Sequence, residues 1–241
     1  MNKPQSKLRS CQWPLILLSI TLLTVTGCGY AGFVAQVFFP EKSVPVFDLP
    51  VVKTAILVDD THNQLGDPAH TGVIAQQMFF DLIQGGKLTP DLTVDYLFVR
   101  NLEAKLGSDF QRTPVDKIGR KLGADQIIHV NIDYVQMSVQ PGIIEPKAIV
   151  TLKVIDTIKA LRLFPAPSEI TNIDSLETSK RGYRITVELP RVIMMEMDLG
   201  TENILLRNLA EQIGYQASRI FYSHLKNENA QGPGRPSTKG K

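Results

Sequence analysis

The sequence predicts an α+β domain, an α/β sandwich in which a mixed sheet of about five strands carries helices mainly on one face. Three observations predict it. Short β-branched runs first alternate with stretches of helical period and then follow one another directly, giving the order β-α-β-α-β-β-β-α. In the later strands apolar and polar residues alternate, as a sheet with one buried and one open face requires. The composition is that of an ordinary globular chain: 241 residues, 43% hydrophobic, 21% charged, net charge +2. That excludes whole-chain disorder, a collagen-like fibre and a nucleic-acid footprint. Both cysteines, Cys11 and Cys28, lie near the start, so a disulfide scaffold is excluded as well.

Val51–Val58 is a short, mostly apolar run ending at Asp59-Asp60 and reads as a buried strand. Thr71–Gln84 carries Ile74, Met78 and Leu82, flanked by Ala75, Phe79 and Ile83, at helical spacing, and Gly85-Gly86 supplies its stop. Val94–Val99 reads as a second strand. Thr113 is placed to cap a helix, with Pro114 at its first position, Asp116 completing a capping-box-like arrangement, and a stripe of Val115, Ile118 and Leu122 closed by Gly123. Asp125–Met137, Lys147–Asp156 and Gly182–Leu189 read as three further strands. Between the last two, Pro165, Pro167 and the polar run Ser168–Lys180 predict an exposed excursion. Thr201 to about Lys226 reads as a long helix with Ile204, Leu205, Leu209, Ile213, Ala217, Ile220, Phe221 and Leu225 on one face. The Gly-, Pro- and polar-rich tail 227–241 is expected to be disordered. No internal repeat is present.

The start of the chain has a different character. Met1–Trp13 contains Lys3, Lys7 and Arg9 and no acid, and the apolar run Pro14–Val25 is too short to cross roughly 30 Å of hydrocarbon comfortably. Val25-Thr26-Gly27-Cys28 follows, with a small residue and then a cysteine where a signal peptidase would cut. These residues resemble the lipobox of bacterial lipoproteins; the alternative is an uncleaved helical anchor with a chance cysteine. The resemblance implies a signal-peptidase site at Gly27 and Cys28. It also implies a thioether-linked diacylglycerol on Cys28 and N-acylation, with palmitate as the acyl type. Two or three acyl chains hold a membrane stably where one does not. Gly29 rather than Asp after the cysteine implies, by the family's sorting rule, an outer-membrane anchor facing the periplasm.

The resulting organisation is a signal peptide (1–27), a lipidated cysteine with an extended apolar tether (28–50), a single domain (51–226) and the tail. Cleavage removes three basic residues and no acid, so 26 basic residues become 23 against 24 acidic ones and the net charge falls to about −1. Gly27-Cys-Gly29-Tyr-Ala-Gly32 formally matches a dinucleotide fingerprint, but no strand precedes it and cleavage would destroy it. Pro40, Pro45 and Pro50 make the tether extended. Its apolar residues, Phe33–Phe39 and Val44–Phe47, either pack on the domain as an edge segment or touch the membrane surface or a partner.

Thr54–Asp60, the junction Ile118-Gly-Arg-Lys-Leu-Gly-Ala-Asp125-Gln-Ile-Ile128 and Val150–Asp156 are similar to a periplasmic superfamily. It includes the curli secretion channel lipoprotein, the amino-terminal domain of TolB and the outer-membrane lipoprotein activators of penicillin-binding proteins. The resemblance covers roughly residues 50–226. It implies a tethered interaction or assembly module, with no shared catalytic residue. The paired membrane-crossing hairpins of curli channels have no counterpart here, where insertions are short and charged, which argues against a pore.

No P-loop, H-E-x-x-H, nucleophile elbow or C-x-x-C is present. The densest polar cluster is Asp59-Asp60-Thr61-His62-Asn63 with Asp67 and His70, in the loop after the first strand. His62, Asp67 and His70 are weak metal candidates without a standard spacing, and turn formation and helix capping are the simpler expectation. In the third strand Ile128, Val130, Ile132 and Tyr134 alternate with His129, Asn131 and Asp133; in the last, Tyr183, Ile185, Val187 and Leu189 alternate with Arg184, Thr186 and Glu188. Thr151 and Lys153 fall on one side of the strand between. His129, Asn131, Asp133, Arg184, Thr186 and Glu188 therefore form a candidate interaction face. The simpler reading is a solvated surface, and an acid/base pair of His129 and Asp133 is a third. Met194, Met195 and Met197 are either core or an adaptable contact.

The function these readings imply is a membrane-anchored, non-enzymatic module that binds an envelope protein or another copy of itself, with no cofactor and no nucleic acid. One alternative is a subunit of a secretion or channel assembly. The other is a metal-dependent binder or enzyme using His62 and His70.

Overall fold

The β-branched run after Pro50 does form a strand, and everything else is arranged around it. The structure, a computed structural model, describes residues 42–140, 142–166, 182–193 and 198–225. Residues 1–41, which include the lipobox-like Gly27 and Cys28, lie outside the described residues, as do Ser168–Lys180, the three methionines at 194, 195 and 197, and residues 227–241. Val44–His224 belong to one unit; Lys42, Ser43 and Leu225, with an isolated antiparallel bridge between Lys42 and Leu225, belong to another.

The order is β1 (Thr54–Asp59), α1 (Ala69–Gln84), α2 (Tyr96–Leu106), α3 (Ser108–Arg112), α4 (Val115–Leu122), β2 (Gln126–Gln140), β3 (Ile143–Asp156), β4 (Leu161–Phe164), β5 (Tyr183–Glu188), β6 (Val192–Ile193) and α5 (Leu199–Arg219). This is an α+β fold on a mixed sheet, as expected, with six strands where about five were predicted. β1 runs parallel to β2, β2 and β3 form a long antiparallel pair, and the far side of β3 is shared by β4, β5 and β6.

One face of the sheet is buried. Ile56, Ile128, Val130, Ile132, Ala148, Val150, Leu152, Val154 and Val187 lie under Ile74, Met78 and Leu82 of α1 and Leu209, Ile213 and Ala217 of α5. Each buried Val, Leu, Ile or Met among them contributes about 1.5–3 kcal/mol. The two helices approach until a β-carbon built on Gly214 would stand 2.7 Å from the Ile74 carbonyl oxygen and 2.7 Å from Gln77 Cβ, so only glycine fits. The described end of the tether joins this core. Phe47 packs on Phe164 at 5.0 Å between ring centroids, Leu49 is buried, and the Val46 N–H donates to the Ile220 carbonyl at 2.7 Å.

The second face is half covered. Ala55, Leu57 and Ile127 lie under Val99 of α2 and Ile118 of α4, with Leu102, Phe110 and Leu122 beside them. The two longest helices thus lie on one face, as expected, and the shorter α2 and α4 cover part of the other. Beyond Ile127 the second face carries no helix among the described residues.

Four predictions are corrected. Val94–Val99, read as a strand, contains none: an isolated parallel bridge joins Thr93 to Thr54, and the Val94 N–H donates to the Thr54 carbonyl at 2.9 Å. The Asp95 side chain then accepts the Leu97 N–H at 2.8 Å and opens α2, because a six-residue apolar run carries no period long enough to decide between strand and helix. Thr113 does not cap α4: its hydroxyl donates to the Asp109 carbonyl, closing α3, and Pro114 occupies the cap position instead. The stop at Gly123 holds, with φ +65° in the left-handed region that glycine adopts most readily. The excursion after Asp156 begins with a tight turn and β4, which the prolines concealed. Finally, α5 ends at Arg219 rather than near Lys226, and Ile204 points away from the core, 62% exposed.

Candidate interaction face and its adjoining cleft

The open face is assembled by register. His129 stands opposite Lys153, Asn131 opposite Thr151, Thr151 opposite Arg184, Thr186 opposite Ile149, and Lys147 opposite both Gln136 and Glu188. Directly opposed residues share a face. All six predicted face residues, His129, Asn131, Asp133, Arg184, Thr186 and Glu188, are therefore brought to one side, together with Thr151 and Lys153.

A register shift between Ile132 and Tyr134 marks a bulge at Asp133. It sends Tyr134, predicted on the apolar side, to the open side at 45% exposure, and turns Val135 and Met137 toward the core. Asp133 is held within the face, accepting from the Asn131 amide at 2.6 Å and from the buried Thr151 hydroxyl. Lys147 and Glu188 pair at 2.7 Å across the neighbouring strands. Burial, then the Arg162 guanidinium, pull the Lys153 ammonium below its ordinary range, with Asp133 opposing.

The proposed His129–Asp133 pair is not what forms. Asp133 is taken up by Asn131 and Thr151, and the His129 Nε2 instead stands 3.8 Å from Asp59 Oδ2. That imidazole, foremost, and the Thr61 hydroxyl, 2.5 Å from Oδ1, hold the Asp59 carboxyl below the usual carboxylate range against the opposing effect of burial.

The loop after β1 folds on itself. Asp60 accepts the Gln64 N–H at 2.7 Å and the Leu65 N–H at 2.9 Å, Asp67 accepts the Ala69 N–H at 2.8 Å at the start of α1, and the buried His70 sets Nδ1 2.9 Å from the Leu65 carbonyl. His62 is exposed. Asp67 and His70 are thus occupied by turn and cap contacts, and among the described residues no three His, Cys, Asp or Glu side chains gather as metal ligands do.

Where the open face meets the helices, a cleft of about 340 Å³ opens at the carboxyl end of β1. Asp59 and His129 form its sheet side, Arg100 and Glu103 of α2 and Phe110 of α3 its far wall, and Leu57, Val115 and Ile118 its apolar floor. Asp59 was legible as part of the polar loop. Arg100, Glu103 and Phe110 were missed because the run that opens α2 read as a strand ending at Val99 and residues 100–112 were assigned to no element; the signal that could have found α2 is the Asp95 cap.

No family model matches the chain, and no curated protein matches it in sequence. Solved structures similar to it include lipoprotein GNA1162 from Neisseria meningitidis, at 12% identity, 68% of this chain, 96% of that chain and a TM-score of 0.35. Others are a PelC dodecamer from Paraburkholderia phytofirmans, at 10% identity, 75% and 96% coverage and 0.34, and the hypothetical protein CT253 from Chlamydia trachomatis, at 10%, 71% and 98% and 0.37. Likenesses at these scores carry no statement about activity or partners.

Proposed function

We propose that this protein is a lipid-anchored module of the bacterial cell envelope. Its open sheet face binds another envelope protein or a second copy of the chain, without chemistry of its own. The anchor reading rests on Val25-Thr26-Gly27-Cys28 and the basic and apolar segments before it. The outer membrane, facing the periplasm, is the location those residues imply. No described helix is long and apolar enough to cross a membrane.

The observation that carries the contact reading is the uncovered stretch of β2, β3 and β5. It presents Tyr134 and Ile149 among charges of both signs, the mixture of an aromatic anchor with a polar surround common at protein interfaces. Two measurements test it together. Cys28→Ala is expected to abolish lipid labelling and to move the protein from the membrane to the soluble fraction; mutant protein that stays lipid-labelled overturns the anchor. A photo-crosslinking residue at Thr186 is expected to give a discrete adduct in intact membranes, lost when Tyr134 is changed to Ala. The same residue at exposed Gln76 of α1 is expected to give none. Equal adducts from both positions would overturn the face.

A further inference from the structure

We infer that the outer edge of β5 pairs antiparallel with the same edge of a second copy of this chain, joining two sheets across a two-fold axis. The inference concerns the rim of the sheet and not its open face, and it does not rest on the contact reading.

The edge is read from the ladder. The Leu189 N–H donates to the Pro146 carbonyl at 2.9 Å, and from there Val187, Ile185 and Tyr183 stand opposite Ala148, Val150 and Leu152 with no register shift. In an antiparallel ladder the backbone groups of alternate residues point to opposite sides. Tyr183, Ile185 and Val187 therefore turn theirs to β3. Arg184, Thr186 and Glu188, all exposed, turn theirs outward, where no strand pairs with β5 among the described residues. An open edge is a template for another strand, and proteins guard it with Pro, Lys or a bulge. Tyr-Arg-Ile-Thr-Val-Glu has none of these and is rich in β-branched residues.

The occupant follows from the residues of the edge. Outward-pointing groups on two antiparallel strands bond when they stand directly opposite. Two β5 strands meet this with Arg184, Thr186 and Glu188 together in a single register, which sets Thr186 opposite Thr186 on the axis and Arg184 opposite the second copy's Glu188 on either side. The charges match there. Arg184 makes no ion pair among the described residues, and Glu188 has Lys147 only on its β3 side. On the inner side the same register sets half-buried Ile185 opposite the second copy's Val187 and Tyr183 opposite its Leu189, apolar against apolar. A patch that complements itself in this way is what a two-fold interface requires.

The test uses the whole chain, oxidised in intact cells. Paired Thr186 residues would stand about 5.5 Å apart between α-carbons, within disulfide reach, so Thr186→Cys is expected to give a disulfide-linked dimer. Arg184→Cys and Glu188→Cys, each about 14 Å from its own counterpart, are expected to give none alone and a mixed dimer when the two chains are expressed together. Arg184→Glu and Glu188→Arg each set like charges opposite and are expected to weaken dimerisation at least about tenfold by sedimentation in detergent. An equal mixture of those two chains is expected to restore it, since every edge charge then meets its opposite. Tyr134→Ala, which the face contact needs intact, is expected to leave the Thr186→Cys disulfide unchanged, so failure of one reading is told from failure of the other. A Thr186→Cys chain that stays unlinked, equal linking by Arg184→Cys alone, a strict monomer, or a charge-reversed mixture no better than its parts would each overturn the pairing.

Discussion

The two faces of β2 and β3 are built from the same strands, one residue out of step, and they behave oppositely. On the inner face Ile128, Val130 and Ile132 meet Val150, Leu152 and Val154 under two helices and are all buried. On the outer face His129 and Asn131 meet Lys153 and Thr151 under no helix, and polar groups are matched in part by one another. The difference teaches where the stability resides and where the chain has freedom to recognise something else. The inner face is a packed interior in which each methylene counts. The outer face is a set of short polar contacts whose removal costs little in folding.

The contrast can be broken most directly by deletion. Ile213→Ala, which empties a fully buried position of α5, is expected to destabilise the domain by about 3 kcal/mol in a denaturant titration, against less than about 0.5 kcal/mol for Thr186→Ala on the outer face. Comparable losses would mean that the outer face is part of the folding core.

A second test lies between the helices of the inner face. Asp81 of α1 is buried against α5, accepting from the Gln77 amide at 3.1 Å and the Ser218 hydroxyl at 3.2 Å, and burial raises its carboxyl above the ordinary value. A carboxyl raised in the folded state favours folding most in its protonated form. Its contribution is full below the unfolded value of about 4 and is lost as pH rises through the native value. Asp81→Asn keeps a neutral, hydrogen-bonding group there. Its melting temperature is expected to exceed that of the parent at neutral pH, with the advantage shrinking as pH falls through the raised native value and gone by about 4. A constant difference across pH would show that the carboxylate is not disfavoured.

The smallest effect belongs to the outer face. Lys147 and Glu188 are both exposed at 2.7 Å, and Glu188→Gln is expected to change stability by less than about 0.5 kcal/mol, less again in high salt. A larger, salt-resistant loss would show that the pair is more than a surface contact.

Much of this arrangement was legible residue by residue. Ile74, Met78 and Leu82 marked the buried stripe of α1, and the alternation in β2 and β5 placed His129, Asn131, Arg184, Thr186 and Glu188 on one side before any register was known. Tyr134 was misplaced because alternation carries no warning of a bulge: one inserted residue at Asp133 reverses Tyr134, Val135 and Met137. β4 was missed because its four residues are too few to show a period and are followed by Pro165; it is held by folding back on the adjacent end of β3. The cleft was invisible for a related reason. Its walls come from β1, α2, α3 and α4, and the run that becomes α2 reads equally well as a strand until the Asp95 cap is weighed.

By itself, then, the sequence determined the periodicities: which elements are amphipathic, which face of each is apolar, where glycine stops a helix, and the lipobox-like segment ahead of the domain. These are local properties, set by side chains a few residues apart. Only the tertiary structure decided that α2–α4 cover part of the second face, that His129 faces Asp59 rather than Asp133, and that β3 carries three partners along one edge. Those depend on contacts between residues far apart in the chain, whose energies no local pattern records.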